Sequence, residues 1–432
     1  LAKADGALIT IAVAASAAAK SLCGWRHLIA HGIGERGTAR EKSGLPWTGM
    51  RRLLLLASAV VFVDTAFFSA IVPLLPDLRA DLGLTKTAAG ILSGSYAAGT
   101  LVAALPAGLL AARIGGRNAV LGGLSVMVLT TAVFAFAESI VLLDGTRFIQ
   151  GAGSALSWAG ALGWLVSAAP RERRGALIGS TVGAAIAGTL LGPALGGFAS
   201  AVGRDVAFSA FAAGGLGLIL LTVRMPPPRR VVEGGGIAAL RMAARSPSVR
   251  FGMLMILVPG MLFGAIDVLV PLELGEFGAG AGAIAGVFIA AAAIQTVVAP
   301  VAGRLSDRHG RVAPLAVGLV LSAGFMLLLA LPDRAWVLGA LLVIGAPVIG
   351  IMWSPAMALL SDGAEARGVD QALAFGVVNL GWGMGHTTGA VAGPALGQAS
   401  SDAVAYVALA GVCVAALAAL LTARPAALAS MP

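Results

Sequence analysis

Residues 108–117 read GLLAARIGGR and residues 303–311 read GRLSDRHGR, so that Gly108, Arg113 and Gly115 are matched by Gly303, Arg308 and Gly310 at an offset of 195. A second echo follows in the same order: GPALG at 192–196 returns as GPALG at 393–397, an offset of 201. Two echoes at nearly one offset describe a unit present twice, in parallel. Around them lie apolar runs of the length that crosses a bilayer, about twenty residues each. They fall at 53–76, 88–111, 118–138, 141–168, 175–200, 204–224, 249–273, 281–303, 312–331, 335–360, 371–398 and 402–422. No ten-residue segments of alternating polarity occur, so a lipid-facing barrel is excluded and the runs read as helices. Residues 225–248, with Pro226, Pro227, Pro228, Gly234, Gly235 and Gly236, divide them six and six. The expected fold is an all-α integral membrane protein of twelve transmembrane helices in two parallel six-helix repeats. Its expected parts are two bundles at 50–224 and 249–424, a cytoplasmic linker at 225–248 and a tail at 425–432.

Composition agrees. Hydrophobic side chains make up 58% of the 432 residues, charged ones 11%, and the mean hydropathy is +0.94; a soluble domain carries about 25% charged residues. The net charge of +9 raises the question of nucleic acid, and the distribution of the charge answers it. Lys and Arg number 18 in one set of alternate loops, from Arg51 to Arg424, and 4 in the other, Arg79, Lys86, Arg204 and Arg334. That bias places both termini and the linker in the cytoplasm, with the chain in the cell membrane and its arginines facing anionic lipid. No nucleic-acid partner is expected. Cys23 and Cys413 stand too far apart in character for a disulfide framework or a metal cluster, and neither a metal nor a cofactor is expected. Residues 1–49, whose apolar run Leu8–Ala19 is too short to span, are expected to be a mobile or non-native extension ahead of Met50-Arg51-Arg52.

The loop Gly303-Arg304-Leu305-Ser306-Asp307-Arg308-His309-Gly310-Arg311 resembles the signature GxLxDRxGR of the major facilitator superfamily. Arg147, Gln150, Gly151, Gly153 and Ala155 are similar to that superfamily's second motif, RxxQGxGxA. Residues Gly188 to Gly197, with Gly192, Pro193 and Gly196, resemble the GxxxGPxxGG element of exporters that run as antiporters. The first span, from Asp64 to Pro76, is similar to that of the drug:proton antiporters and vesicular amine transporters. This resemblance implies alternating access, with Gly108, Arg113, Gly303, Asp307, Arg308, Gly310 and Arg311 in the gating loops. Ala112 stands where the family carries Asp, which implies a latch carried by Asp307 or weakened.

Charged groups inside spans mark the chemistry, because each costs about 2.5 to 3.5 kcal/mol on insertion scales unless it faces a cavity or a partner. Asp64, about twelve residues into its span and so near the midplane, is the expected proton carrier. Arg147 is its expected counter-charge, with bonding to backbone carbonyls as the structural alternative. Asp267 occupies the repeat-equivalent helix and is a second candidate for protonation or cation binding. Asn379, Trp382 and His386 are spaced to share one helix face. The aromatics Phe67, Phe68, Tyr96, Trp158, Trp353 and Trp382 are candidates to line a cavity and hold a cation, with Gln150 and Gln295 as interior hydrogen-bonding groups. Two glycine stripes, Gly188/Gly192/Gly196 and Gly381/Gly385/Gly389/Gly393/Gly397, would allow close helix approach at a sliding interface. No hydrolase elbow, Walker loop or zinc helix is present, so no enzyme is expected. The function read from the sequence is a monomeric secondary transporter that exchanges protons for small amphipathic or cationic molecules. A metabolite exporter on the same scaffold and a non-transporting sensor are the alternatives.

Overall fold

A computed structural model describes residues 47–169, 174–226, 247–365 and 371–428. Residues 1–46 of the expected extension, most of the linker and the last four residues lie outside them, and residues 47–49 open the first helix. The first half holds α1 (Trp47–Ser69), a short 3-10 turn (Val72–Leu74), α2 (Leu75–Leu82), α3 (Lys86–Ile114), α4 (Gly116–Ala135), α5 (Ile140–Ala168), α6 (Arg174–Val202) and α7 (Arg204–Val223). The second half holds α8 (Pro247–Glu276), α9 (Ala281–His309), α10 (Val312–Leu329), α11 (Ala335–Gly350), α12 (Trp353–Glu365), α13 (Gln371–Ala399) and α14 (Asp402–Leu428). Within the described residues ten spans are long and apolar enough to cross a membrane, counting α1 with α2 and α11 with α12 as one each. Helices α5 and α13, 29 residues each, complete the expected twelve. They fall outside the ten because Asp144, Arg147 and Gln150, or Asn379 and His386, dilute their apolar character. These two helices bring polar groups to the interior.

Two expected spans are broken, each beside proline. In the first, Pro73 has no N–H to offer the carbonyl of Ser69, so α1 ends there and the chain turns before α2. In the tenth, α11 ends at Gly350 and α12 starts at Trp353 with Pro355 in its first turn, where a missing N–H is tolerated. The Gln295 side chain of α9 lies against Gly350.

The repeat is visible in backbone geometry. Helices α3 and α9 end at Gly115 (φ 86°) and Gly310 (φ 79°), equivalent positions in which a side chain would be strained. Hydrophobic packing is not symmetrical along the molecule's length. One cluster combines Ile71, Leu74, Leu75, Leu78 and Leu92 of the first half with Val268, Leu272 and Ala390 of the second. At the opposite end of the first half a separate cluster, with Met50, Leu53, Leu124 and Trp164, contains first-half residues only. The halves are thus joined around α2 and the start of α3.

Candidate functional site

The break in α1 builds the site. A helix end leaves its last carbonyls without donors, and Arg147 of α5 supplies them: Nη1 donates to the carbonyl of Phe67 at 3.1 Å and Nη2 to that of Phe68 at 2.9 Å. A guanidinium there also meets the negative end of the helix dipole. Nη1 donates further to Gln150 Oε1 at 2.9 Å, and Gln150 Nε2 to Thr131 Oγ1 of α4 at 2.7 Å. Gln150 therefore ties α5 to α4 and, at 3% exposure, does not open on a cavity. Arg147 thus makes the carbonyl bonds of the structural alternative. Among the described residues no ion pair joins it to Asp64.

Asp64 is 2% exposed and lies near the middle of the span Gly49–Leu82. Its Oδ1 accepts from the Tyr96 hydroxyl at 2.8 Å; its Oδ2 accepts from Ser154 Oγ at 2.9 Å and from Trp158 Nε1 at 2.6 Å. The Tyr96 ring in turn lies under Arg147, 4.8 Å from guanidinium carbon to ring centroid. Asp64 and Arg147 are thus linked through one side chain, by its hydroxyl and by its face. The donor set also directs a proton. An indole N–H can only donate, so Oδ2 must remain an acceptor, whereas the Tyr96 hydroxyl can turn and accept from a protonated Oδ1.

The two halves meet at Phe68. Its ring lies 5.2 Å from Tyr96 in its own half, and 5.4 Å from Trp382 and 5.1 Å from His386 in the other. His386, 1% exposed, places Nε2 3.3 Å from Asp267 Oδ2, so two candidates read separately from the sequence form one pair between α13 and α8. Asn379 and Trp353 are half-buried in the same half, Trp353 against its hydrophobic core. Phe67 turns away: it packs 5.7 Å from Phe211 of α7, inside the first half.

The glycine stripes pack within each half rather than across the interface between the halves. A Cβ on Gly188 or Gly192 would strike Thr65 or Ser69 of α1, and one on Gly385 or Gly389 would strike the backbone of α8 at Leu257 or Met261. Thr65 and Ser69 also donate to the carbonyls of Ala185 and Thr189. Contacts across the halves use other positions: Gly90 and Gly94 against Ala390, Gly383 against Leu101, and Gly197 against Ala285. Of the gating-loop residues, Arg113 and Arg308 are exposed, Gly108 is open, Gly303 lies against Ser354 of α12, and Arg311 donates to Ser306 Oγ. The side chain of Asp307 lies outside the described residues.

Two features escaped the sequence reading. Ser154 completes the stripe Arg147, Gln150, Ser154, Trp158 at helical spacing. At the joined end a polar cluster crosses the halves: Arg79 to Glu276 at 2.8 Å, Lys86 to Asp402 at 2.5 Å and to Glu276 at 3.5 Å, and Thr87 Oγ1 to Gln398 at 2.8 Å. Glu273 accepts from Tyr406 beneath it, at 3.1 Å. The signal was charges of opposite sign in loops of opposite halves.

A twelve-helix body with a buried carboxylate beside the interface narrows the comparison, and the family model described as Major Facilitator Superfamily matches residues 57–372. The chain belongs to the major facilitator superfamily. It is 28% identical over 356 residues to the chloramphenicol resistance protein of Streptomyces lividans, covering 78% of this chain and 90% of that one. It is 31% identical over 160 residues to the MFS-type transporter ppzB of Metarhizium rileyi, covering 36% of this chain. That match spans about a third of ppzB, 33% of its length. Among solved structures, a bacterial homologue of the human lysosomal transporter Spinster, in an inward-facing and occupied conformation, superposes with a TM-score of 0.71. It shares 15% identity, over 86% of this chain and 96% of that one, and so speaks for the fold. The superfamily and the fold are those of transporters, with efflux-type proteins among the relatives.

Proposed function

We propose that this superfamily member is a proton-coupled antiporter that exports small amphipathic or cationic molecules by alternating access. The observation that carries the reading is Asp64: a carboxylate 2% exposed in mid-span, held by three donors and linked through Tyr96 to an arginine on the broken end of its own helix. Among its donors the Tyr96 hydroxyl can turn and accept from a protonated Oδ1, which suits a group that gains and loses a proton. In this reading the arginine bias of the loops sets the polar cluster of Arg79, Lys86, Glu276 and Asp402 on the outer side of the cell membrane, so the contacts between the halves close the outer end. In the cycle, Asp64 takes a proton while it faces out, the halves rock inward, and the proton leaves as Tyr96 turns back to donate. Arg147 holds the end of α1 throughout. The membrane potential contributes about 2.3 kcal/mol per charge per 100 mV. A single chain contains both halves of the site, so a monomer suffices. Drug efflux is the substrate class supported by the S. lividans resistance protein, whose length the match covers almost entirely.

The test is proton movement in proteoliposomes that hold a pH-sensitive dye, with a panel of lipophilic cations and neutral drugs added under an imposed gradient. Some compounds are expected to discharge the gradient through the wild-type protein, and Asp64→Asn is expected to abolish that response. Substrate-driven proton flux through Asp64→Asn at the wild-type rate would remove Asp64 from the coupling.

A further inference from the structure

Asp64 is closed off, whereas the second intramembrane carboxylate is not. The side chain of Asp267 is 17% exposed, against 1% for its partner His386. Among the described residues its ion-pair partner is that histidine alone, a group that is not a permanent cation. Other charges nearby are engaged elsewhere. Arg147 is spent on the carbonyls of α1, Asp64 on its three donors, and Glu273, six residues along α8, on Tyr406 of α14. The surroundings of His386, its partner, are aromatic: Phe68 and Trp382 both pack on the His386 ring, at 5.1 and 5.3 Å, and on each other at 5.4 Å. His386 Nδ1 is buried in this cluster without a hydrogen-bond partner.

A partly open carboxylate without a fixed counter-charge, whose histidine partner sits among rings packed edge to face and tilted, is chemistry that recognises an organic ammonium: Coulomb attraction from the carboxylate and the quadrupoles of the neighbouring rings. We infer that the Asp267–His386 pair, with Phe68 and Trp382, is the docking site for the cationic head of the substrate, separate from the proton site at Asp64. This assignment rests on the antiport reading and divides its labour between two carboxylates, one in each half. Phe68 belongs to the half that carries Asp64, and its carbonyl is held by Arg147. An ammonium seated on Asp267 therefore touches the other half through a ring whose backbone is anchored to Arg147. His386, fixed by both rings, positions the carboxylate through Nε2.

The experiment compares phenyltrimethylammonium with its neutral isostere tert-butylbenzene, bound at equilibrium to the full chain in nanodiscs. Only charge separates the two probes, and neither can donate a proton. Asp267→Asn is expected to weaken the ammonium about ten-fold, about 1.4 kcal/mol, and to leave the neutral probe within two-fold, which also reports an intact fold. Asp267→Glu is expected to recover most of the loss. Equal binding of the ammonium to wild type and Asp267→Asn, parallel loss of both probes, or failure of the wild-type chain to prefer the ammonium each overturns the assignment. Loss of coupling is read separately, from proton flux in Asp64→Asn, so either proposal can fail alone.

Discussion

Arg147 makes more contacts than any single role requires. Its guanidinium donates to two carbonyls of α1 and to Gln150 while lying over Tyr96. A lysine there keeps the charge but is a point donor on a flexible stem, unable to reach both carbonyls and lie flat on a ring. Arg147→Lys is therefore expected to lower thermal stability in detergent by several degrees and to slow exchange, although net charge is unchanged. An unchanged melting temperature, read by intrinsic fluorescence, would mean that α1 does not depend on this cap. The same residues show what a sequence can disclose. Asp64, Arg147 and Asp267 were legible because charge inside a span is expensive and rare. Ser154 was not, since hydroxyl residues are common in spans and only its spacing from Arg147 sets it apart. Carbonyl bonding by Arg147 was open only as an alternative, because the break at Ser69 that frees those carbonyls depends on how Pro73 is accommodated.

At the scale of helices, the glycine stripes show a correct element whose neighbour the sequence leaves open. Spacing of four predicts a smooth face and close approach, and that holds; it does not say which helix approaches. Gly385 and Gly389 let α13 sit on the backbone of α8, and this contact sets the spacing of Asp267 and His386, which those helices carry. Packing of this kind has no room to relax. A Cβ on Gly389 would overlap the Met261 carbonyl, whereas one on Gly214 of α7 meets nothing within 4 Å. Gly389→Ala is expected to destabilise the chain and weaken cation binding together. Gly214→Ala is expected to be neutral or to stabilise by about 0.5–1 kcal/mol, the helix preference for alanine. Thermal unfolding of the two variants side by side checks this, and similar melting temperatures would show that the α8–α13 contact is loose. The two broken spans have a related explanation: apolar runs define where a span lies, and in these two a proline lies where the hydrogen-bond ladder stops, although Pro193 and Pro394 sit inside continuous helices.

For the whole molecule, the repeat and the count of twelve were legible, and the state was not, because in the proposed cycle one sequence serves every state. The state is written in contacts between the halves at the Arg79 end. Their strength can be ordered. Arg79 and Glu276 are 31% and 45% exposed in their side chains, and a pair so open contributes on the order of 0–1 kcal/mol. Lys86 and Asp402 are better shielded, at 16% and 15%. Beneath them the apolar cluster of Leu74, Leu75, Leu78 and Leu272 is fully dry, and burying a single leucine is worth about 1.5–3 kcal/mol. The seal is thus mainly apolar, and the ion pairs set its register. Glu276→Gln alone is then expected to change exchange rates only modestly. A covalent tie is a different matter, because alternating access requires this end to part by more than a side chain's length. With Cys23→Ser, the pair Arg79→Cys and Glu276→Cys bridged by a short cleavable thiol reagent is expected to stop exchange in proteoliposomes, and cleavage of the bridge to restore it. Exchange that continues with the bridge intact would mean that the ends joined here never separate, and the rocking of two halves could not be the transport motion.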